Sequence, residues 1–476
     1  MLRAPFVSFP VRPVGGRRPA ARDVVEGVIG ELRAGRLPAG ARLPPVRALE
    51  RQLGMSKNTI QAAYDELVAR GIVEAREREG VFVATARDDA PAPPAMVAPP
   101  LPALRPPPAI GAGQVPTRGI SLSTVFIDPE LLPGERIAEC ARSVLKARMS
   151  PWYDVQGHPG LREVIAARLR RRGFDVDASH VVVTTGSQQG IDVLARTMTS
   201  RRAALESPVY AHARFAFEQS GVETVGLPLD PFGGPDLDDW SRRLAATRPG
   251  LFYTVSSFQN PTGYSYTSGE LGSILELARE HGLSIVEDDW GSDMLSDGEY
   301  RPMLRLLGGD AVVYLNSFTK KLWPSLRVGY LVAHPSLVPS LVAAKRLSTL
   351  GNAWLSEAIV AEFLERGYYD GHLATLQAQM DDRYAACLAA LDELMPDDVR
   401  WTRPGGGPTL WLDLPARVDL AALQRTLAAR EVWIEDASAT FHGDAGPHLH
   451  GFRISYAFSP KEVLRRGLEA LADALR

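Results

Sequence analysis

Cysteine is nearly missing from this chain, with Cys140 and Cys387 the only two among 476 residues. A disulfide framework is thereby excluded, and a reducing, cytoplasmic setting is expected. Long apolar runs are missing too. No stretch approaches the roughly 18 residues that a membrane-crossing helix needs. The N-terminus is broken by Pro5, Pro10 and Pro13 and lacks the apolar core and cleavage site of a secretory leader. Strong net charge is the third absence, since 53 Lys+Arg against 56 Asp+Glu leave −3. The balance conceals an asymmetry. Residues 1–87 carry 15 Lys/Arg and 9 Asp/Glu, or +6, and the remainder carries 38 and 47, or −9. A basic head on an acidic body implies an anionic partner for the head alone. Hydrophobic residues at 45% and charged residues at 23% are ordinary for a globular protein, and the length leaves room for about three units.

Proline is abundant, and it is concentrated. Pro91, Pro93, Pro94, Pro99, Pro100, Pro102 and Pro106 to Pro108 crowd residues 85–118. Such a stretch cannot donate the backbone hydrogen bonds of a helix or sheet and reads as a semi-extended linker. It divides the chain into residues 1–84 and residues 119–476.

Ahead of the linker, Val24, Val25, Val28, Ile29 and Leu32 follow helical spacing and Gly35 ends the helix. Pro44 and Pro45 open a short second helix, and Leu53-Gly54-Met55 makes a tight turn. Ser56 caps a third helix expected to carry Ile60, Ala63, Tyr64, Leu67 and Val68 on its apolar face. Residues 72–75 and 81–83 alternate like a hairpin. The third helix begins Ser56-Lys57-Asn58-Thr59, with free amides and short polar or basic side chains of the kind a recognition helix brings to the major groove. The run Gly35 to Arg47, followed by Leu53 to Thr59, resembles the winged helix-turn-helix of GntR-family regulators. That resemblance implies duplex DNA as partner and contacts by Arg47 and by the start of the recognition helix. The wing, Arg76-Glu77-Arg78-Glu79-Gly80, departs from the family's glycine-rich tip, and Arg78 is its candidate for a minor-groove contact.

Beyond the linker, apolar strands at 181–183, 203–205, 251–255, 284–286, 312–315 and 328–332 alternate with helical stretches. This α/β pattern predicts a mostly parallel sheet covered on both faces, with ligands beyond the strands' carboxyl ends. Chemistry-bearing residues collect at those ends. Gly186, Ser187 and Gln188 open a helix whose amides suit a phosphate. Asp288 can face a protonated ring nitrogen, and Asn260 a ring oxygen. Lys320 follows a buried strand, where a desolvated amine keeps the lone pair needed to form a Schiff base. Ser317, Thr319 and Arg327 complete an anion clamp. Each alone also reads as a cap, a turn or a surface charge; the ordered set does not.

These motifs, with Glu206-Ser207-Pro208-Val209-Tyr210, resemble fold-type-I aminotransferases over about residues 120–476. The whole chain resembles the MocR/GabR-type regulators, in which such a body follows a GntR-type head. The resemblance implies pyridoxal 5'-phosphate (PLP) on Lys320, with Asp288 at the pyridine nitrogen, Asn260 at the ring hydroxyl and Tyr210 stacked on the ring. It implies Arg453 for an effector carboxylate, and Arg214 matches an arginine often found after the stacking tyrosine. A homodimer completing its sites at the interface is also implied. Two departures stand out: Trp290 replaces the family's tyrosine, and Lys321 places a second amine beside Lys320. His442, His448 and His450 sit among Gly443, Gly446 and Pro447 without acidic or cysteine co-ligands, so no metal is expected. Two functions remain open. One is a PLP-dependent transcriptional regulator that senses an amino acid or related amine through an external aldimine, with slow or absent transamination. The other is a working aminotransferase with a secondary DNA-binding head.

Overall fold

The computed structural model describes residues 6–11, 19–85, 118–147, 152–294, 303–443 and 448–476. Apart from its end residues, the expected linker lies outside them. The chain divides into two compact units, Met1–Arg105 and Pro106–Arg476.

The first unit is three helices and a hairpin. Helices α1 (Ala21–Arg33), α2 (Val46–Leu53) and α3 (Lys57–Ala69) precede strands β1 (Val73–Arg76) and β2 (Gly80–Val83), which pair antiparallel. Val24, Val28, Leu49, Ile60 and Leu67 bury the facing stripes in one core. Residues 6–11 join the same unit: Phe9 is buried in that core and the Val7 amide donates to the Arg42 carbonyl. Gly54 ends α2 at φ 62°, a left-handed cap that glycine adopts without a Cβ penalty. The Ser56 hydroxyl then accepts from the Thr59 amide and caps α3. Tyr64 donates to the Pro44 carbonyl at 2.6 Å and fixes α3 against the entrance of α2.

The second unit opens with β3 (Ile120–Ser121), α4 (Gly134–Lys146) and α5 (Pro159–Arg171). It continues with β4 (Val181–Thr184), α6 (Gly186–Thr197), β5 (Arg202–Ser207), α7 (Ala211–Gln219), β6 (Glu223–Asp230), β7 (Gly234–Pro235), α8 (Leu237–Thr247) and β8 (Leu251–Thr254). Next come α9 (Ser268–His281), β9 (Ser284–Asp289), α10 (Leu304–Gly308), β10 (Val312–Ser317) and β11 (Gly329–Val332). The eight-stranded sheet runs β4-β11-β10-β9-β8-β5-β6-β7. All neighbours pair parallel except those of β11 and β7. Strands β4, β5 and β8 to β11 are buried almost throughout because both faces of the sheet are covered. Val182, Leu205, Val286 and Leu315 pack towards α6 and α7, whereas Val181, Val183 and Tyr314 pack with α4 and α5. Strand β6 was not expected from the sequence. Pro228 argues against a central strand, and it is accommodated where the pairing to β5 ends at Ser207.

The chain then forms α11 (Val338–Thr349), α12 (Trp354–Glu365), α13 (Tyr368–Leu394), β12 (Arg400–Trp401), β13 (Thr409–Asp413), α14 (Leu420–Ala428), β14 (Val432–Trp433), β15 (Gly451–Ser455) and α15 (Lys461–Leu475). Strands β12, β13 and β15 form a small antiparallel sheet whose core includes Leu410, Leu412, Ile454 and Leu468. Strand β14 pairs parallel with β3 and so draws residues 118–126 towards the large sheet's carboxyl edge. Among the described residues, no helix is long and apolar enough to cross a membrane.

Candidate functional site

Beyond the carboxyl ends of β4, β5, β8, β9 and β10 lies a cavity of about 600 Å³. Gly186, Ser187, Gln188, Tyr210, Asn260, Asp288, Trp290, Ser317, Thr319, Lys320, Arg327 and Arg453 all line it. The structure therefore brings together every body residue singled out from the sequence except Arg214. That arginine lies one helical turn beyond Tyr210 and points away: its guanidinium caps the Phe441 carbonyl, reaches Glu218 at 3.5 Å and lines a separate depression with Arg243 and His442.

At one end of the cavity the α6 N-terminus meets β11. Gly186 has φ 72°, and a Cβ there would lie 2.8 Å from the Arg327 guanidinium. A Cβ on Gly329 would lie 2.7 Å from the Gly186 carbonyl carbon. Two residues without side chains thus let a helix N-terminus, with its unpaired amides and positive dipole end, close on Arg327. Thr319 Oγ1 is buried there without a partner, and so is Gln188 Oε1, whose amide nitrogen donates to the His212 carbonyl. Ser317 Oγ takes the Thr319 amide at 3.1 Å. The α6 amides, the unpartnered Thr319 hydroxyl and the Arg327 guanidinium supply the donors of a cradle that fits a phosphate monoester.

Across the cavity, Asp288 is buried at the end of β9. Its Oδ2 accepts from the Tyr253 hydroxyl at 2.7 Å, while Oδ1 is buried with no partner. Burial pushes the carboxyl up to about 7, against the Tyr253 hydrogen bond. An unfilled carboxylate oxygen facing a ring-sized space suits a protonated heterocyclic nitrogen. Between cradle and carboxylate stands Lys320. Burial, and then the charges of Arg453 and Arg327, bring its amine down to about 7. Its Nζ lies 3.9 Å from the centroid of the Phe126 ring.

Sequence reasoning missed Phe126, Ser123, Tyr253 and Glu435. Tyr253 was hidden in an apolar strand, and the others lie on irregular segments with no periodic signal. Two departures noted in the sequence prove to be structural. Trp290 spends its indole N–H on the Phe258 carbonyl at 2.9 Å, holding the loop that carries Asn260, so this donor is not offered to a ring oxygen. Lys321 does not stand beside Lys320 as a second amine. Its Nζ is fully buried against Asp293 at 2.6 Å and Asn316 at 2.9 Å.

In the first unit, Arg47, Ser56, Lys57, Asn58 and Arg78 are exposed and Thr59 half-buried. The wing turn holds Arg78 at φ 61° and Gly80 at φ 124°, where the missing Cβ makes room for Arg42. Arg76 covers the Phe82 ring at 4.5 Å, which leaves Arg78 at the tip.

Residues 145–471 match the family of class I and II aminotransferases, and residues 20–83 match the bacterial regulatory proteins of the gntR family. The HTH-type transcriptional regulator TauR of Rhodobacter capsulatus is 30% identical, with 99% of each chain covered. This chain belongs to the MocR/GabR-type regulators, with a gntR-type head on a class I and II aminotransferase body. A second member of this type, the probable rhizopine catabolism regulatory protein MocR of Rhizobium meliloti, is 28% identical over 96% of this chain and 94% of its own. The MocR-type body is also similar to LysN, an α-aminoadipate aminotransferase of Thermus thermophilus solved with N-(5'-phosphopyridoxyl)-L-leucine. The two are 33% identical with a TM-score of 0.69, over 75% of this chain and 92% of LysN. The cofactor of this MocR-type body is PLP, which the cradle, the open Asp288 oxygen and Lys320 fit.

Proposed function

We propose that this protein is a cytoplasmic, PLP-dependent transcriptional regulator that binds duplex DNA through residues 1–84 and senses an amine bearing a carboxylate through residues 119–476, with 85–118 as linker. The observation that carries this reading is the complete lysine cavity on a chain whose full-length relatives are regulators, whereas LysN corresponds to about three quarters of it. When bound, PLP supplies a carbonyl that condenses with amines and an electron-withdrawing ring. The chain's own residues do the rest. Gly186, Ser187, Gln188, Ser317, Thr319 and Arg327 hold the phosphate, and Tyr210 stacks on the ring. Asp288 keeps the ring nitrogen protonated, Asn260 faces the ring oxygen, and Lys320 offers its neutral amine. Arg453, 14% exposed in its side chain and 2.6 Å from Asn260, receives the effector carboxylate. On the head, Arg47 and residues 56–59 face the DNA, with Arg78 at the wing.

We further propose a homodimer. Leu347, 91% exposed, Trp152, 80%, and Leu350, 65%, form apolar surface that a second copy would cover, and readers of this kind engage paired half-sites. The test follows the absorbance of the bound cofactor, affinity for the upstream DNA and 2-oxo acid formation together across a panel of amino acids. An amine that shifts absorbance and DNA affinity without sustained product supports the regulator. Turnover of roughly 1–10³ per second without any change in DNA affinity supports an aminotransferase instead.

A further inference from the structure

We propose that Glu435 is the resident counter-ion of Arg453, evicted when an anionic amine binds, and that its release loosens the segment joining the body to the linker. This rests on the sensor reading above. One terminal nitrogen of Arg453 donates to Asn260 Oδ1 at 2.6 Å; the other donates to Glu435 Oε2 at 2.6 Å and to the Ser123 carbonyl at 3.0 Å. Its Nε is buried without a partner. A carboxylate binds a guanidinium best along an edge, through two parallel hydrogen bonds. Both such edges include the terminal nitrogen that already serves Glu435 and the Ser123 carbonyl, so a bidentate ligand must displace one of them, and of the two only Glu435 is a side chain free to swing away. The two side chains differ in what leaving would cost. Glu435 is 32% exposed and Arg453 14%, so Glu435 can turn to water while Arg453 stays. Glu435 thereby sets the concentration at which an anionic amine is sensed.

Eviction has an immediate neighbour. Ser123 Oγ donates to the Arg453 carbonyl and accepts the Glu435 amide, each at 3.0 Å. Behind it the Ile120 and Leu122 amides donate to the carbonyls of Glu431 and Trp433, and Trp433 Nε1 donates to the Arg118 carbonyl. Gly119 lies so close to Glu431 that a Cβ would come within 2.2 Å of its carbonyl oxygen. Arg453, Glu435 and residues 118–123 are laced into one unit, and the chain runs from Arg118 straight into the proline-rich stretch. A ligand that differs in its contacts with the laced and unlaced arrangements shifts the balance between them.

The experiment uses the full-length, PLP-loaded protein and matched probes: L-alanine with ethylamine, and 4-aminobutanoate with propylamine. Dissociation constants are read from cofactor absorbance in the wild type and in Glu435→Gln. The two carboxylates should bind about tenfold more tightly to the variant, the order expected for one charge-assisted hydrogen bond, with the plain amines unchanged. Weaker carboxylate binding, or equal shifts for both classes, overturns the counter-ion role. Hydrogen exchange supplies a readout that needs no amine. The Leu122 and Glu435 amides should exchange faster in Glu435→Ala, and faster in the wild type as propanoate is added. Unchanged exchange in both cases overturns the lacing. If no amine alters the absorbance of any variant, the sensor reading fails, while the exchange result still decides the Glu435 proposal.

Discussion

The amine of Lys320 works as a nucleophile only without its proton, and its environment rather than its residue type decides when that holds. Burial beside Arg453 and Arg327 lowers it to about 7. Below that pH the ammonium has no lone pair; above it the free amine prevails. Covalent PLP loading of cofactor-free protein should therefore slow as pH falls through 7 and level off above it, as followed by stopped-flow absorbance, and Lys320→Ala should abolish it. A pH-independent rate, or borohydride labelling of another lysine, contradicts this. Asp288→Ala should weaken PLP retention about tenfold or more, as expected when a buried charged partner is lost; equilibrium dialysis measures it. The residues behind both predictions were legible because they follow strand ends and stand in motifs. Glu435 and Phe126 were not: a two-residue pairing of β3 with β14, some three hundred positions apart in the chain, brings them in. The direction of Arg214 was not legible either, because motif matching fixes a position on a helix but not the way its side chain points.

At the scale of elements, the close approach of α6 to β11 is the most sensitive construction. Gly329→Ala places a methyl group 2.7 Å from backbone that cannot yield. It should release PLP readily from protein of normal far-UV circular dichroism. Gly272→Ala, in α9 with nothing within 4 Å, is the control and should leave PLP in place while stabilising slightly through helix propensity. Equal PLP retention by the two variants would show that the glycine contact is not what shapes the cradle. In the head, Ser56→Ala removes the cap of α3 and should cost about 1 kcal/mol, measured by urea denaturation. Strand positions in the large sheet other than those of β6 and β7 were legible from apolar runs of three to five residues. The reversal of β11 was not, because direction is set by the short connection from β10 and leaves no compositional mark.

Taken whole, the chain separates its charges: the +6 of residues 1–87 belongs to the unit with an exposed recognition helix. Binding to duplex DNA should weaken with salt along a log–log slope of about −0.9 per phosphate contacted. Arg47→Ala and Lys57→Ala should each make that slope shallower; fluorescence anisotropy over a salt series measures it. A slope unchanged in both variants would place the DNA-binding surface elsewhere. A protein beginning at Gly119 should remain dimeric by light scattering, and a monomer at micromolar concentration would contradict the proposed interface.

Lys320 and Lys321 share a peptide bond and nothing else. One amine opens onto the cavity and the other is sealed into an ion pair with Asp293. The pair is an internal standard for occupancy. A small amine-directed reagent applied to native protein should mark the first lysine and spare the second, and cofactor on Lys320 should block even that. The ratio of the two adducts in a single peptide, taken before and after unfolding, reports what fraction of the protein carries its cofactor, even in a crude extract.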